Sequence, residues 1–178
     1  MKVRNILTGL VAALMTATPS FAGNTLQDHN ELVDTLQEAG VTVKVNPRDC
    51  SPEFHGYYNR KEVVLAICQD NAKPGGRQVR WTANDLDTLR HEAQHVIQDC
   101  MVGGLGDLES DTYLSMDDLK EFLAMSTLTP ENIETIIESY IEQGATEEVV
   151  IMELEAFAVA TDIDAESISK AVEKMCMR

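Results

Sequence analysis

Apolar residues repeat every three or four positions near residue 30 and through the second half of the chain, which predicts helices in both places. The first predicted helix covers residues 24–38, with Asn24 as its cap and Gly40 as its stop. A second helix is expected from a cap at Asn84 to about Cys100. Capping residues and a first-turn proline predict four further helices, over residues 115–126, 129–144, 146–161 and 165–178.

Between the first two helices, the pattern changes to one that is typical of strands. Residues 41–45 alternate between apolar and polar, and residues 62–68 are β-branched and apolar. Tyr57 and Tyr58 are expected to begin a strand that pairs with the second of these, and residues 79–81 are expected to form a short strand. The pattern therefore predicts an α+β domain, with a small N-terminal β-sheet followed by a helical region.

The first 22 residues have the three parts of an export signal. Lys2 and Arg4 give a positive start, residues 6–15 form a mostly apolar run too short to span a bilayer, and small residues precede a cleavage point after Ala22. The alternatives to an export signal are a short membrane anchor and a buried helix. We expect removal of the signal, which leaves one domain over residues 23–178, secreted or periplasmic and free of the membrane.

The charge of the chain excludes several kinds of partner. There are 14 Lys and Arg residues against 30 Asp and Glu residues, so the net charge is −16 at pH 7. Nucleic acids and anionic lipids are bound by clusters of Lys and Arg, so neither is an expected partner. The hydrophobic fraction of 44% is too high for a disordered acidic chain.

The chain has four cysteines, and an even number in an exported protein predicts two disulfides. Three pairings are possible, and the alternative is four buried free thiols. The preferred pairing joins Cys50 to Cys68, across a β-ribbon, and Cys100 to Cys176, which connects the chain end to the end of a central helix.

The helix that begins near Asn84 contains the sequence His91-Glu-Ala-Gln-His95, an HExxH motif. Residues four apart share one face of a helix, so both imidazoles can reach one zinc ion. Glu92 lies about 100° further around the helix, where it can reach a metal-bound water without binding the metal. The alternative is a pair of solvent-facing histidines on an ordinary amphipathic helix.

Catalytic zinc usually has three protein ligands and one open position, so a third ligand must come from elsewhere in the chain. A metzincin would have Gly and His where this chain has Gln98 and Met101, which excludes that class. The two remaining histidines, His29 and His55, are expected to lie on the surface.

Residues 152–160 form a helical stretch in which two acids lie among apolar and small residues. The segment Glu155-Ala-Phe-Ala158 is similar to the second motif of gluzincin-type zinc peptidases, in which a later helix supplies a glutamate to the HExxH helix. By this resemblance Glu155 is the third ligand. Glu153 is the alternative, because other branches show Glu-x-x-small and Glu153 stands three residues before Ala156.

The same resemblance implies roles for other segments. In such peptidases an edge strand above the HExxH helix binds the substrate, and residues 62–68 are the candidate strand, although a purely structural role is the alternative. Asp99 could orient an imidazole, or be an ordinary helix-end acid. Either Tyr113 or Tyr140 could stabilise an oxyanion, and the sequence does not select between them.

The resemblance therefore implies an exported zinc metallopeptidase that acts on a peptide or protein substrate. One zinc ion per chain is held by His91, His95, Glu155 and a water molecule, and Glu92 is the general base. The alternative is a non-catalytic exported domain that binds zinc structurally or interacts with another protein.

Overall fold

The computed structural model describes residues 24–51 and 54–177, and it confirms the α+β class. The predicted export signal at residues 1–22 lies outside these ranges. The elements in chain order are α1 (Leu26–Glu38), β1 (Thr42–Val45), β2 (Gly56–Asn59), β3 (Val64–Ile67), α2 (Ala83–Cys100), α3 (Met116–Met125), α4 (Pro130–Glu142), α5 (Glu147–Asp162) and α6 (Ala165–Cys176). None of these helices is long and apolar enough to cross a bilayer.

Each of these six helices begins after a residue whose side chain accepts a backbone N–H of the first turn. The predicted caps Ser115, Thr129 and Thr146 are confirmed, and Pro130 occupies the first turn of α4. Such caps satisfy N–H groups that have no partner inside the helix. Local sequence therefore sets the start of each helix in the second half of the chain.

Two predicted caps are wrong. Thr25 caps α1 in place of Asn24, and Thr82 caps α2 in place of Asn84, each in a capping box with an aspartate three residues on. The amide of Asn84 instead donates to the carboxylate of Asp70, at 2.8 Å. The two reciprocal hydrogen bonds of a capping box satisfy two N–H groups. Each helix therefore begins after the threonine of its capping box and not after an asparagine that would form a single capping bond.

The sheet has the order β1-β3-β2, with β1 parallel and β2 antiparallel to β3. The predicted pairing of the tyrosine strand with β3 is confirmed. The predicted strand at residues 79–81 is wrong, because the backbone N–H and carbonyl of Val79 bond to the side-chain amide of Gln69. A single side chain therefore takes the place of a strand partner there.

The core lies between α2 and the elements around it. Apolar side chains of α1, β3, α2 and α6 form one buried cluster, which includes Leu32, Leu36, Leu65, Ile67, Leu89, Val96, Ile97, Ile168 and Val172. Both preferred disulfides are confirmed, since Cys50 is bonded to Cys68 and Cys100 to Cys176. The second joins the last residues of α2 and α6, so α6 is fixed to the central helix at its end.

The expectation that His29 lies on the surface is wrong, since only 1% of it is exposed. Its Nδ1 atom lies 2.7 Å from the carbonyl oxygen of Thr25, and its Nε2 atom lies 2.6 Å from Nη1 of Arg90. Arg90 also donates from Nε to the carbonyl oxygen of Ala160, at 2.9 Å. This polar chain connects α1, α2 and α5. His55 is exposed, as predicted.

We predict that His29 makes the stability of the fold sensitive to acid. Burial lowers the pKa of His29 below its ordinary value of 6.5, although the bond to Thr25 opposes this, and the charge of Arg90 lowers the pKa further. Because the folded state binds this proton less readily than the unfolded chain, the stabilisation is complete above about pH 6.5 and is lost as the pH falls through the folded pKa.

The measurement is the unfolding free energy from urea titrations at pH 7.5 and pH 5. The wild-type protein should lose more stability between these pH values than the His29→Gln variant does. His55→Gln, which removes an exposed histidine, is the control and should follow the wild type. Equal losses in wild type and His29→Gln would show that this buried histidine has no such effect.

Candidate metal centre

The HExxH helix α2 packs along α5, which contributes three small residues to the buried region. Ala156, Ala158 and Ala160 are all buried, as a close approach of two helices requires. The side chains of His91 and His95 extend from α2 toward α5 and meet Glu153 there. The interface between two helices that are distant in sequence therefore forms the candidate site.

The three side chains converge closely. The Nε2 atoms of His91 and His95 lie 3.1 Å apart. A carboxylate oxygen of Glu153 lies 3.2 Å from Nε2 of His91, and the other lies 3.4 Å from Nε2 of His95. The side chains are 12% to 18% exposed, so the cluster is mostly buried but solvent still reaches it.

The prediction that Glu155 faces the two imidazoles is wrong, and Glu153 occupies that position. Side chains two residues apart are separated by about 200° around the helix axis, so only one of the two glutamates can face the two imidazoles. Glu155 is fully buried on another side, where it accepts bonds from the backbone N–H groups of Tyr113 and Leu114, at 3.0 and 2.7 Å. It anchors the segment before α3.

The sequence alone does not show which of the two acids faces the motif, but the position of Phe157 in the structure does. Phe157 stands four residues after Glu153, on the same face of α5. The Phe157 ring packs against the imidazole of His91, with ring centroids 4.4 Å apart. The face of α5 that carries Glu153 and Phe157 is therefore the face that contacts the motif, whereas the E-x-F-A resemblance pointed to the wrong acid.

Gln98 orients one of the imidazoles. Its side-chain oxygen lies 2.8 Å from Nδ1 of His95, and its amide donates to the Glu155 carboxylate and to the Met152 carbonyl oxygen, both at 2.9 Å. Because Nδ1 of His95 faces an acceptor, Nε2 is directed toward the cluster. Asp99 contacts neither imidazole; its carboxylate accepts from the hydroxyl of Tyr58, at 2.8 Å.

Tyr140 is the tyrosine that reaches the cluster. Its hydroxyl donates to the Glu153 carboxylate, at 2.7 Å, and burial raises the pKa of this phenol, with the charge of Glu153 adding to the effect. Tyr113 is buried elsewhere, and within the described part of the chain its hydroxyl has no hydrogen-bond partner. The fold therefore selects between the two tyrosines that the sequence left open.

Burial and hydrogen bonding act against each other on the ionisable groups of the cluster. For His95, burial lowers the pKa, but the hydrogen bond and charge of Glu153 outweigh it and raise the pKa to about 9. For Glu153, burial raises the pKa, but the hydrogen bonds from His91 and His95 hold it well below its ordinary value. Glu153 is therefore ionised at neutral pH, as a metal ligand must be.

Glu92 lies on the side of α2 that faces β2, and it is 6% exposed. Burial raises the pKa of Glu92, while the charges of the two motif histidines oppose this and the backbone N–H of Tyr58 donates to it. Gly56 allows the strand to lie this close, since a Cβ atom there would be 2.8 Å from the carbonyl oxygen of Ala66 and 3.3 Å from Cγ of Glu92.

The strand predicted to bind substrate is not an edge strand. β3 is paired on both sides and all four of its residues are buried, so it cannot accept a further strand. It has the structural role that was the alternative. The strand at the edge of the sheet next to α2 is β2, and the backbone N–H of its Tyr58 donates to Glu92.

Together these contacts define a small α+β domain with a cluster of two histidines and one glutamate between two helices. The chain belongs to DUF8637, a family described as a domain of unknown function, whose model matches residues 20–177. No curated protein and no solved structure matches the chain.

We predict that replacement of Glu153 affects metal binding, whereas replacement of Glu155 affects the stability of the fold. Glu153→Gln should weaken any binding of zinc at the cluster by at least about 100-fold, because removal of one of the three converging side chains should cost more than the loss of a second-layer contact. Glu155→Gln should leave zinc binding within a few-fold of wild type but destabilise the fold by about 1–3 kcal/mol, because an amide group would face a backbone N–H.

Zinc affinity is measured by competition with a chromophoric chelator, and stability by urea unfolding. Each variant is the control for the other, since both replace a carboxyl group of the same helix by an amide of the same size. If Glu155→Gln loses zinc while Glu153→Gln retains it, the placement of the two acids around the site is incorrect.

Proposed function

We propose that His91, His95 and Glu153 bind one zinc ion and that the protein is an exported zinc metallopeptidase of the gluzincin type. The observation that supports this best is the spacing of the three side chains. Nitrogen and oxygen ligands at about 2.0–2.1 Å from a tetrahedral zinc ion lie about 3.3 Å from one another. The separations of 3.1, 3.2 and 3.4 Å agree with this value.

The number of ligands favours a catalytic site over a structural one. Structural zinc sites have four protein ligands, whereas catalytic sites have three and an open position. Among the residues with described positions, no further histidine, cysteine or acid joins the group of three. The partial exposure of the cluster leaves room for a water molecule or a substrate carbonyl at the fourth position.

Zinc would lower the pKa of a bound water toward about 7 and polarise the carbonyl of the bond to be cleaved. Glu92 is the residue that takes a proton from this water and then delivers it to the leaving amine. Its burial raises its pKa, which suits a group that must both accept and release a proton near neutral pH.

The surrounding residues would hold the ligands in place. Gln98 fixes the orientation of His95, and the hydroxyl of Tyr140 fixes the Glu153 carboxylate. The first contact lies within α2 and the second joins α4 to α5. The hydroxyl of Tyr140 has one proton, so it could donate to an oxyanion only in place of its bond to Glu153; its position at the cluster makes it the candidate for that role.

An extended peptide substrate would pair with the edge strand β2 and would take over the backbone N–H of Tyr58 that donates to Glu92 in this structure. Strand addition supplies main-chain hydrogen bonds that do not depend on the side chains of the peptide. Glu92 lies beneath this strand, so a peptide bound there would pass close to the general base. The two disulfides support an export route, because such bonds persist in oxidising compartments.

The central test is metal analysis of the purified protein, followed by digestion of a general peptide mixture with and without a chelator. We expect about one zinc ion per chain and cleavage that stops on chelation and returns with zinc. Absence of zinc binding at micromolar concentration would contradict the proposed site. Stoichiometric zinc without any cleavage would support the non-catalytic alternative.

We predict that Glu92→Gln lowers the rate of cleavage but leaves metal binding unchanged. The variant should lower kcat by about 10²- to 10⁴-fold, the usual contribution of a general base, while its zinc content stays near that of wild type. Glu38→Gln, at the exposed end of α1, is the charge-matched control and should behave as wild type. Full activity of Glu92→Gln would show that another group activates the water.

We predict that Tyr140→Phe weakens zinc binding by about 10-fold, because the Glu153 carboxylate loses the hydroxyl that orients it. Tyr113→Phe is the matched control and should leave zinc affinity unchanged, since the hydroxyl it removes is unpartnered within the described ranges. Chelator competition measures both. Equal affinities for the two variants would mean that Tyr140 does not orient the ligand.

A further inference from the structure

A small cavity lies between the candidate metal centre and the end of β2. Its volume is about 100 Å³, and its wall includes Tyr58, Arg60, His95, Ser110, Met152 and Glu153. Pockets that enclose whole ligands usually measure about 300–1,000 Å³. The cavity can therefore hold one functional group or a short side chain of a larger molecule that is bound at the metal centre.

Arg60 brings a positive charge to this cavity. It is half-buried, and its Nη1 atom donates to the hydroxyl of Ser110. That hydroxyl lies 3.4 Å from the sulfur of Met152, which fixes its direction. Across residues 24–51 and 54–177, Arg60 forms no ion pair, whereas the buried Arg90 is paired with Asp87. The guanidinium is thus positioned without a carboxylate of its own.

Asp99, whose pKa is affected by the charge of Arg60, does not form an ion pair with it. Oδ2 of Asp99 accepts from the hydroxyl of Tyr58, at 2.8 Å, and from the backbone N–H of Gly106, at 3.2 Å, while its Oδ1 atom is buried without a hydrogen-bond partner in the described part of the chain. Burial raises the pKa of Asp99, and the charge of Arg60 only opposes this from a longer distance. The other carboxylate in the cavity wall, Glu153, is directed at the two imidazoles.

We propose that this cavity is a subsite for a carboxylate of the substrate, bound by the guanidinium of Arg60. The proposal rests on the proposed peptidase function and names its substrate class, which is peptides with a carboxylate next to the bond that is cleaved. A guanidinium matches a carboxylate with two parallel hydrogen bonds. In a chain with a net charge of −16, an anionic group needs such a local positive partner.

The carboxylate has two possible sources, the free end of the peptide chain or an Asp or Glu side chain. Three matched pools of hexapeptides distinguish them. The first pool has free C-terminal carboxylates, the second is the same pool with C-terminal amides, and the third is amidated and carries one internal aspartate in place of asparagine. kcat/KM is measured for each pool with wild type, Arg60→Gln and Lys61→Gln.

We expect wild type to cleave one of the two carboxylate pools about 10- to 100-fold faster than the neutral amide pool, the usual effect of a hydrogen bond to a charged group. Arg60→Gln should lose this preference. Lys61→Gln removes the same charge from the exposed neighbouring residue and should keep the preference. The pool that is favoured identifies the source of the carboxylate.

Equal cleavage of charged and neutral pools by wild type would overturn the subsite but leave the peptidase function standing. If no pool is cleaved, the peptidase function fails, and binding then decides the subsite separately. For this, fluorescence anisotropy of labelled pools is measured with zinc added to the wild type and to Arg60→Gln. Binding of a carboxylate pool that Arg60→Gln does not weaken would overturn the subsite as well.

Discussion

The contact between α2 and α5 is the interaction on which both the fold and the candidate site depend. Polar groups are expensive to bury unless they are hydrogen-bonded, and this interface buries several of them. His95 bonds to Gln98, Gln98 bonds to Glu155, and Glu153 lies against both imidazoles. Apart from Nδ1 of His91, which is buried without a hydrogen-bond partner among the described residues, these groups are satisfied by a residue of the other helix or by a neighbour on their own helix, so the site exists only when the helices are packed.

Two glutamates on one helix have opposite environments. Glu153 lies beside two imidazoles, which keep its pKa low and make it suitable as a ligand. Burial raises the pKa of Glu155 to about 7, although three hydrogen-bond donors oppose this. Its role is structural, because its carboxylate connects Gln98 to the backbone of residues 113–114. The same residue type thus belongs to the candidate metal centre in one position and supports the architecture in the other.

The stabilising cross-links lie away from the metal centre. One disulfide fixes the loop before β2 to the end of β3, and the other fixes α6 to the end of α2. The polar chain through His29 and Arg90 joins α1, α2 and α5. The HExxH helix is therefore held at its end by a disulfide and along its length by polar contacts, and its two motif histidines meet Glu153 of α5.

Much of this molecule could be predicted from local sequence. Helix caps such as Ser115 and Thr129, the α+β order of elements, both disulfides and the HExxH face depend on short-range patterns or on a small number of possible pairings. The tertiary structure decided which acid of α5 meets the imidazoles, that His29 is buried against Arg90, and that β3 is central in the sheet. These facts depend on the rotation of one helix against another and on strand order, and no local pattern in a single chain specifies either.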